Sequence, residues 1–201
     1  MNLLLTSDGL TTPAIHEAFF SLLPKPAQEC SALLLANIQS EQAFAYSLAA
    51  KEEINNLGVT DAIIFNLNDE TFTLSDHFDI IYVCGGNTFR ILDRMKKTGA
   101  YAFIEKEMKT NNCMYIGVSA GSIIAGPNIA IAGHGSECDP NDIHLTDLES
   151  FGFTNISILP HFKPHLQSEA DEFQSSVPYP VIAIQDREAL LISENEQRTI
   201  K

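Results

Sequence analysis

Residues 117–121 (GVSAG) fit the pattern Gly-x-Ser-x-Gly, in which a serine stands on a sharp turn between a buried strand and a helix. The apolar run 113–118 precedes the turn, and a helical stretch begins at Ala120. The small residues around Ser119 allow the two elements to pack closely, and a helix N-terminus directs backbone N–H groups towards a developing oxyanion. This context favours Ser119 as a catalytic nucleophile over a purely structural turn.

A serine hydroxyl needs a neighbouring base to act as a nucleophile, and the chain has six histidines. His161 stands directly after the apolar run 156–159, in the sequence LPHF. Ligands of open parallel sheets gather beyond the carboxyl ends of the strands. Because Ser119 and His161 both follow strands, we expect them to meet at that edge. His144 and His165 are the alternatives for the base.

A second candidate segment, residues 84–89 (CGGNTF), also lies between a predicted strand and a predicted helix. Paired glycines let a backbone approach a ligand closely and present its N–H groups, although a plain tight turn would use them too. The phosphate-binding patterns G-x-G-x-x-G and G-x-x-x-x-G-K-[ST] are absent, as are HExxH and other paired-ligand spacings. We therefore predict no nucleotide, no other cofactor and no metal.

These segments need a scaffold of strands that alternate with helices. Strands are predicted at 2–6, 31–36, 61–67, 79–84, 113–118 and 156–159, and helices at 13–23, 40–57, 88–97, 101–109, 120–125 and 167–175. Strands that are apolar throughout indicate a parallel sheet buried on both faces. We expect one α/β domain over residues 1–201, with an open, mostly parallel sheet and helices on both faces. Residues 133–141 are predicted as a loop, and 181–184 with 189–193 as a closing hairpin.

Composition limits the classes of partner. The chain has 201 residues, 45% of them apolar, and a net charge of −14, which disfavours nucleic acid. Its four cysteines form no CxxC pair and are expected to be reduced thiols of a cytoplasmic protein. Residues 1–7 are predicted to be a first strand, not a signal peptide, and no apolar run approaches the ~20 residues of a membrane span.

In their order and context, the segments GGNTF (85–89), GVSAGS (117–122) and LPHF (159–162) resemble the dipeptidase E (alpha-aspartyl dipeptidase) family of serine peptidases, which also includes cyanophycinase. The resemblance implies a flavodoxin-like fold related to class I glutamine amidotransferases, with serine replacing their cysteine. It also implies hydrolysis of a short peptide, with Ser119 as nucleophile and His161 as base and then acid. The N–H groups of Gly86 and Ala120 would bind the oxyanion, with Asn87 and Lys163 near the substrate.

Two positions depart from that family. Its best-known members carry an aspartate after the serine, in a Thr-Asn-Asp-Met-Pro run, where this chain has His134. Because a triad needs an acceptor to orient its histidine, Glu137 and then Asp139 are predicted for that role. The family's arginine after the catalytic histidine is also missing, since residues 167–174 (QSEADEFQ) hold three acids and no base. Preference for an N-terminal aspartate is therefore not expected.

We expect a cytoplasmic serine peptidase that acts on short peptides, without nucleic-acid or membrane partners. Two other functions stay open: a catalytically impaired binding protein with the same fold, and an esterase or amidase for another small acyl substrate. The sequence does not distinguish a monomer from a homodimer.

Overall fold

The computed structural model describes residues 1–69, 71–74, 76–110 and 112–201. A seven-stranded sheet has the order β3-β2-β4-β5-β1-β8-β9, and β6 and β7 form a small second sheet. The strands are β1 (Asn2–Thr6), β2 (Ser31–Ala36), β3 (Asp61–Asn66), β4 (Ile80–Val83), β5 (Met114–Val118), β6 (Ser157–Leu159), β7 (Val181–Ala183), β8 (Ala189–Ile192) and β9 (Gln197–Ile200).

The first five strands of the large sheet run parallel, as their apolar sequences predicted, whereas β8 and β9 are antiparallel to their neighbours. The predicted α/β class with a mostly parallel sheet is thus confirmed. Pairing of β1 with β5 sets Thr6 opposite Val118. This register brings the carboxyl end of the first strand beside the start of the Gly-x-Ser-x-Gly turn.

The described ranges contain six α-helices. They are α1 (Pro13–Leu22), α2 (Glu41–Asn56), α3 (Thr88–Thr98), α4 (Ala100–Thr110), α5 (Ala120–Ile124) and α6 (Gln167–Ser176). Of these, α1 and α2 pack on one face of the large sheet and α3, α4 and α5 on the other. Leu3 and Leu5 of β1 belong to one core with α3, α4 and α5, while Leu4 belongs to a second core with α1 and α2. Alternate residues of a strand point to opposite faces, so both faces are buried. Within the described ranges, no helix is long and apolar enough to cross a membrane.

The predicted closing hairpin of residues 181–184 and 189–193 is wrong. Strand β7 instead pairs in parallel with β6, and β8 pairs with β1 on one side and β9 on the other. The polar strand β9, whose sequence is QRTI, was not predicted because only its last residue is buried. An apolar run such as 189–192 shows that a strand is buried, but its sequence does not reveal which strands lie beside it.

Candidate active site

The turn that carries Ser119 has a strained backbone. Strand β5 ends at Val118, α5 begins at Ala120, and Ser119 between them has φ 50° and ψ −109°. A positive φ is uncommon for a residue with a side chain and is sustained only by the surrounding structure. Here the Ser119 N–H donates to the Thr6 carbonyl oxygen at 3.0 Å. The end of β1 therefore fixes the turn from the neighbouring strand.

The glycines of the motif are required by close packing around this turn. A Cβ atom at Gly121 would lie 2.2 Å from the Val83 carbonyl oxygen, and one at Gly117 would lie 2.6 Å from the Gly121 backbone. Real Cβ atoms do not approach backbone atoms this closely. Both glycines of the Gly-x-Ser-x-Gly pattern are therefore needed because α5 lies in direct contact with β5 and β4.

Gly121→Ala tests this packing. In an ordinary helix the change would stabilise the protein slightly, because alanine is the better helix former. Here we expect the opposite: unfolding in denaturant should show a loss of about 1–3 kcal/mol or more, since the methyl group would displace the Val83 carbonyl. Gly99→Ala is the control, because its added Cβ meets no atom within 4 Å and only its φ of 90° is unfavourable. Stability of Gly121→Ala at or above the wild-type level would contradict the packing argument.

His161 lies against Ser119. It follows β6, adopts φ 54°, and places its ring Nε2 2.9 Å from Ser119 Oγ. Its backbone N–H donates to Ser7 Oγ at 2.8 Å, so the residue after β1 positions the histidine backbone. The expectation that Ser119 and His161 meet at the carboxyl edge of the sheet is met by these distances.

The carboxylate that contacts His161 belongs to Asp186, which the sequence did not suggest. Its Oδ1 lies 2.6 Å from His161 Nδ1 and also accepts from the Ser7 hydroxyl at 3.0 Å. Partial burial raises the pKa of Asp186, but the hydrogen bonds from His161 and Ser7 outweigh this, and the pKa lies below its ordinary value. Asp186 is therefore ionised at neutral pH. Such a carboxylate holds Nδ1 protonated, which leaves Nε2 free to accept the serine proton.

The turn that carries Asp186 is bound to the end of β1. The backbone N–H of Arg187 donates to Asp8 Oδ1 at 2.8 Å, and the Ser7 N–H donates to the Glu188 carbonyl at 3.1 Å. Ser7 and Asp8, the two residues that follow β1, thus position both His161 and the turn of Asp186.

The structure does not bring Glu137 or Asp139 to His161, contrary to the expectation from sequence. Glu137 pairs with Lys163 Nζ at 2.6 Å and His165 Nε2 at 3.1 Å, and these contacts hold its pKa below the usual range. Asp139 accepts from both the N–H and the hydroxyl of Thr88, at 2.8 and 2.6 Å, at the first residue of α3. Each carboxylate has its hydrogen-bond donors elsewhere than at His161.

The remaining predicted residues have varied surroundings. Asn87 caps α3, with its oxygen accepting from Arg90 N–H and its nitrogen donating to the Pro140 carbonyl, so both polar groups are used within the protein. His134 contacts the Glu169 carbonyl through Nε2. Gly86 has φ 141°, and a Cβ on neighbouring Gly85 would lie 3.4 Å from Ser119 Cβ, so this turn lies beside the nucleophile.

Two cavities open at Ser119 and His161. The smaller, about 110 Å³, lies between α5 and α6 and has a mainly apolar wall that includes Ile123, Ile131, Leu159, Leu166, Ala170 and Phe173. The larger, about 590 Å³, is bounded by α2 and by the ends of β1, β4 and β5. Asn87 and Lys163 are not among the described residues that line either cavity. Nor do the described residues include a group of three or more His, Cys, Asp or Glu side chains that could hold a metal ion.

A model of peptidase family S51 matches residues 3–200 of the chain. The chain belongs to peptidase family S51. It is therefore a serine-type peptidase, and the resemblance drawn from the three sequence segments is confirmed.

Similar proteins carry related names. Uncharacterized peptidase Lmo0363 of Listeria monocytogenes is 33% identical over 166 residues, which cover 78% of each chain. Peptidase E of Citrobacter koseri is 32% identical over 109 residues, covering 53% of this S51 peptidase and 43% of the relative. A crystal structure of a peptidase E-like protein from Listeria monocytogenes EGD-e matches 100% of this chain and 98% of its own, with a TM-score of 0.77 and 25% identity.

Proposed function

We propose that this S51 peptidase hydrolyses short peptides with Ser119 as nucleophile, His161 as base and Asp186 as the carboxylate that orients the histidine. The observation that carries the proposal is the continuous hydrogen-bonded chain from Ser119 Oγ through the imidazole to Asp186 Oδ1, with steps of 2.9 and 2.6 Å. A nucleophile, a base and an orienting acid within hydrogen-bond reach are the arrangement that acyl transfer by serine requires.

The proton path follows from this order. Ser119 Oγ attacks the scissile carbonyl carbon while its proton moves to His161 Nε2, and the negative charge of Asp186 stabilises the resulting imidazolium. When the tetrahedral intermediate collapses, the carbon–nitrogen bond breaks and Nε2 returns the proton to the leaving amine. Water then attacks the acyl-enzyme and gives a proton to Nε2. As the bond between the acyl carbon and Ser119 Oγ breaks, Nε2 returns that proton to Oγ, and the product leaves as a free carboxylic acid.

Backbone N–H groups are the donors available for the oxyanion. The Ala120 N–H begins α5, and the first N–H groups of a helix have no partner within the helix. Gly86, on the turn beside Ser119, supplies the second donor in this proposal. Its left-handed φ of 141° is one that glycine adopts without strain.

The cavities support a small substrate that is not defined by an acidic side chain. Together they leave room for a few residues around the scissile bond, which fits a short peptide. Neither has a lysine or arginine among the described residues of its wall. A substrate carboxylate buried there would lack a partner, at a cost of several kcal/mol. The four unpaired cysteines, three of them buried, are consistent with action in a reducing, intracellular compartment.

A fluorophosphonate probe tests the catalytic assignment directly. We expect it to label Ser119, detected by peptide mass spectrometry, and to block hydrolysis in a panel of dipeptides and tripeptides with varied first residues. The Asp186–His161 contact favours an active enzyme over an impaired binding protein. Labelling of Ser119 with cleavage of esters but of no peptide would instead support the esterase or amidase alternative, and absence of labelling would remove the proposed nucleophile.

A further inference from the structure

The larger cavity beside Ser119 and His161 has an acidic wall. Its volume of about 590 Å³ is sufficient for an amino-acid residue, and it is lined by the carboxylates of Asp8 and Glu53. The described lining residues include no lysine or arginine. A substrate bound at Ser119 has access to this cavity, because Ser119 and His161 are among its lining residues. The charge of this wall therefore bears on which peptides bind.

Glu53 is a carboxylate of this wall that is able to accept further hydrogen bonds. It lies on α2, and its Oε2 accepts the N–H of Leu10 at 3.2 Å, but no ion pair of the described residues includes it. Burial raises the pKa of Glu53 above its ordinary value, opposed by the Leu10 N–H; the charge of Asp8 raises it further and that of His16 lowers it. An ionised glutamate in this place would be stabilised by a cation.

An acceptor without a donor lies in the same wall. The side-chain oxygen of Asn37 is buried and has no hydrogen-bond partner among the described residues. A buried acceptor left unpaired is unfavourable. Rotation of the Asn37 amide towards the cavity, where a ligand brings N–H donors, would relieve that cost. An ammonium or guanidinium group supplies several such donors together with positive charge.

The carboxylates of the smaller cavity have different surroundings. These three carboxylates have an ion pair or shorter hydrogen bonds: Glu137 is paired with Lys163, Asp139 accepts from Thr88 N–H at 2.8 Å, and Glu169 accepts from Ser136 N–H at 2.9 Å, compared with 3.2 Å for the Leu10 N–H on Glu53. Most of the other residues that line the smaller cavity are apolar. The two sides of the nucleophile are therefore suited to different groups, an apolar one between α5 and α6 and a cationic one beside α2.

We propose that the cavity beside α2 binds a positively charged group of the peptide substrate, with Glu53 as its carboxylate partner and Asn37 as a second acceptor. The inference rests on the proposed function, since it assumes a peptide bound at Ser119. The cation is either the α-ammonium group of the substrate or the side chain of a lysine or arginine. These two sources share their chemistry and are separated by the experiment.

Peptide binding to catalytically silent Ser119→Ala protein, measured by calorimetry, tests the proposal without relying on turnover. Lysyl-alanine and alanyl-lysine are compared with their norleucine counterparts, which keep the chain length but lack the charge. The norleucine peptides are also compared with and without N-acetylation, which isolates the α-ammonium group. We expect at least one cationic form to bind about tenfold more tightly than its neutral match, as a partly desolvated charged pair provides.

Glu53→Gln in the same background should reduce that ratio towards one, because glutamine keeps an acceptor for Leu10 but loses the charge. Glu52→Gln, on the exposed face of the same helix, is the matched control and should leave the ratio unchanged. Asn37→Ala gives a second variant, expected to weaken cation binding by a few-fold, should Glu53→Gln fail to fold by circular dichroism.

Equal binding of charged and neutral peptides, or a preference that survives Glu53→Gln, would overturn the proposal. Failure of the proposed function has a different signature. In that case wild-type protein would neither hydrolyse these peptides nor react with a fluorophosphonate, whatever the binding ratios measured with the Ser119→Ala protein.

Discussion

Ser119→Ala is expected to lower turnover by on the order of a million-fold, which is the typical loss when a triad nucleophile is removed. The reason is chemical and local: the hydroxyl that His161 would deprotonate is gone, while the backbone of the turn is held by the N–H bond to Thr6 rather than by the side chain. The fold should persist. Hydrolysis of the best peptide and thermal unfolding, measured on the same preparations, check both parts.

Ser168→Ala is the matched control for this change, because Ser168 is exposed on α6 and away from the proton path. It should retain wild-type turnover. If Ser119→Ala kept activity near that of Ser168→Ala, the nucleophile would have to be a different residue.

Asp186→Asn is expected to lower turnover by about ten-thousand-fold while leaving the protein folded. An asparagine can donate to His161 Nδ1 and so favour the tautomer in which Nε2 carries the proton and is unable to accept from Ser119. It also removes the negative charge that stabilises the imidazolium. The side chain is 58% exposed, so little stability depends on it. Turnover should fall far more than the affinity for peptide, which separates this role from substrate binding.

Glu137→Gln and Asp139→Asn are the controls for Asp186→Asn, since both carboxylates lie in the loop near the active site and neither contacts His161. We expect modest changes in turnover from each. If Glu137→Gln lost about ten-thousand-fold in turnover while Asp186→Asn was nearly unaffected, Glu137 would be the carboxylate that orients His161, as the sequence suggested.

The parts of the site that sequence could predict are those set by local patterns. The turn at Ser119 needs two glycines at fixed spacing because α5 packs directly on β4 and β5. The five consecutive residues 117–121 are therefore enough to identify the turn from sequence. His161 was found for a similar reason: it follows an apolar strand directly, and parallel strands bring their carboxyl ends to one edge. The positions of the parallel strands followed from their apolar runs.

Asp186 could not be found in this way, because its place depends on a pairing between distant strands. The turn at residues 185–188 was predicted to close a hairpin, which would have placed it away from the nucleophile. It instead leads into β8, which lies beside β1. Glu137 and Asp139 were preferred because they lie in the same loop as His134, which stands where the family carries its aspartate. Lys163 and Thr88 bind them, and no pattern in the loop itself reveals those partners.

The end of β1 has a consequence for how activity is acquired during folding. Thr6, Ser7 and Asp8 hydrogen-bond to three segments that lie more than a hundred residues further along the chain, at Ser119, His161 and Arg187. Contacts of such long sequence separation form late and slow the folding of a domain. Strand β1 must therefore wait for β8, which is synthesised much later, before the site at its end is complete. A nascent chain that ended before β8 would contain Ser119, His161 and Asp186 but would lack the strand whose pairing with β1 holds the Asp186 turn in place, and it would remain a poor peptidase until β8 was made.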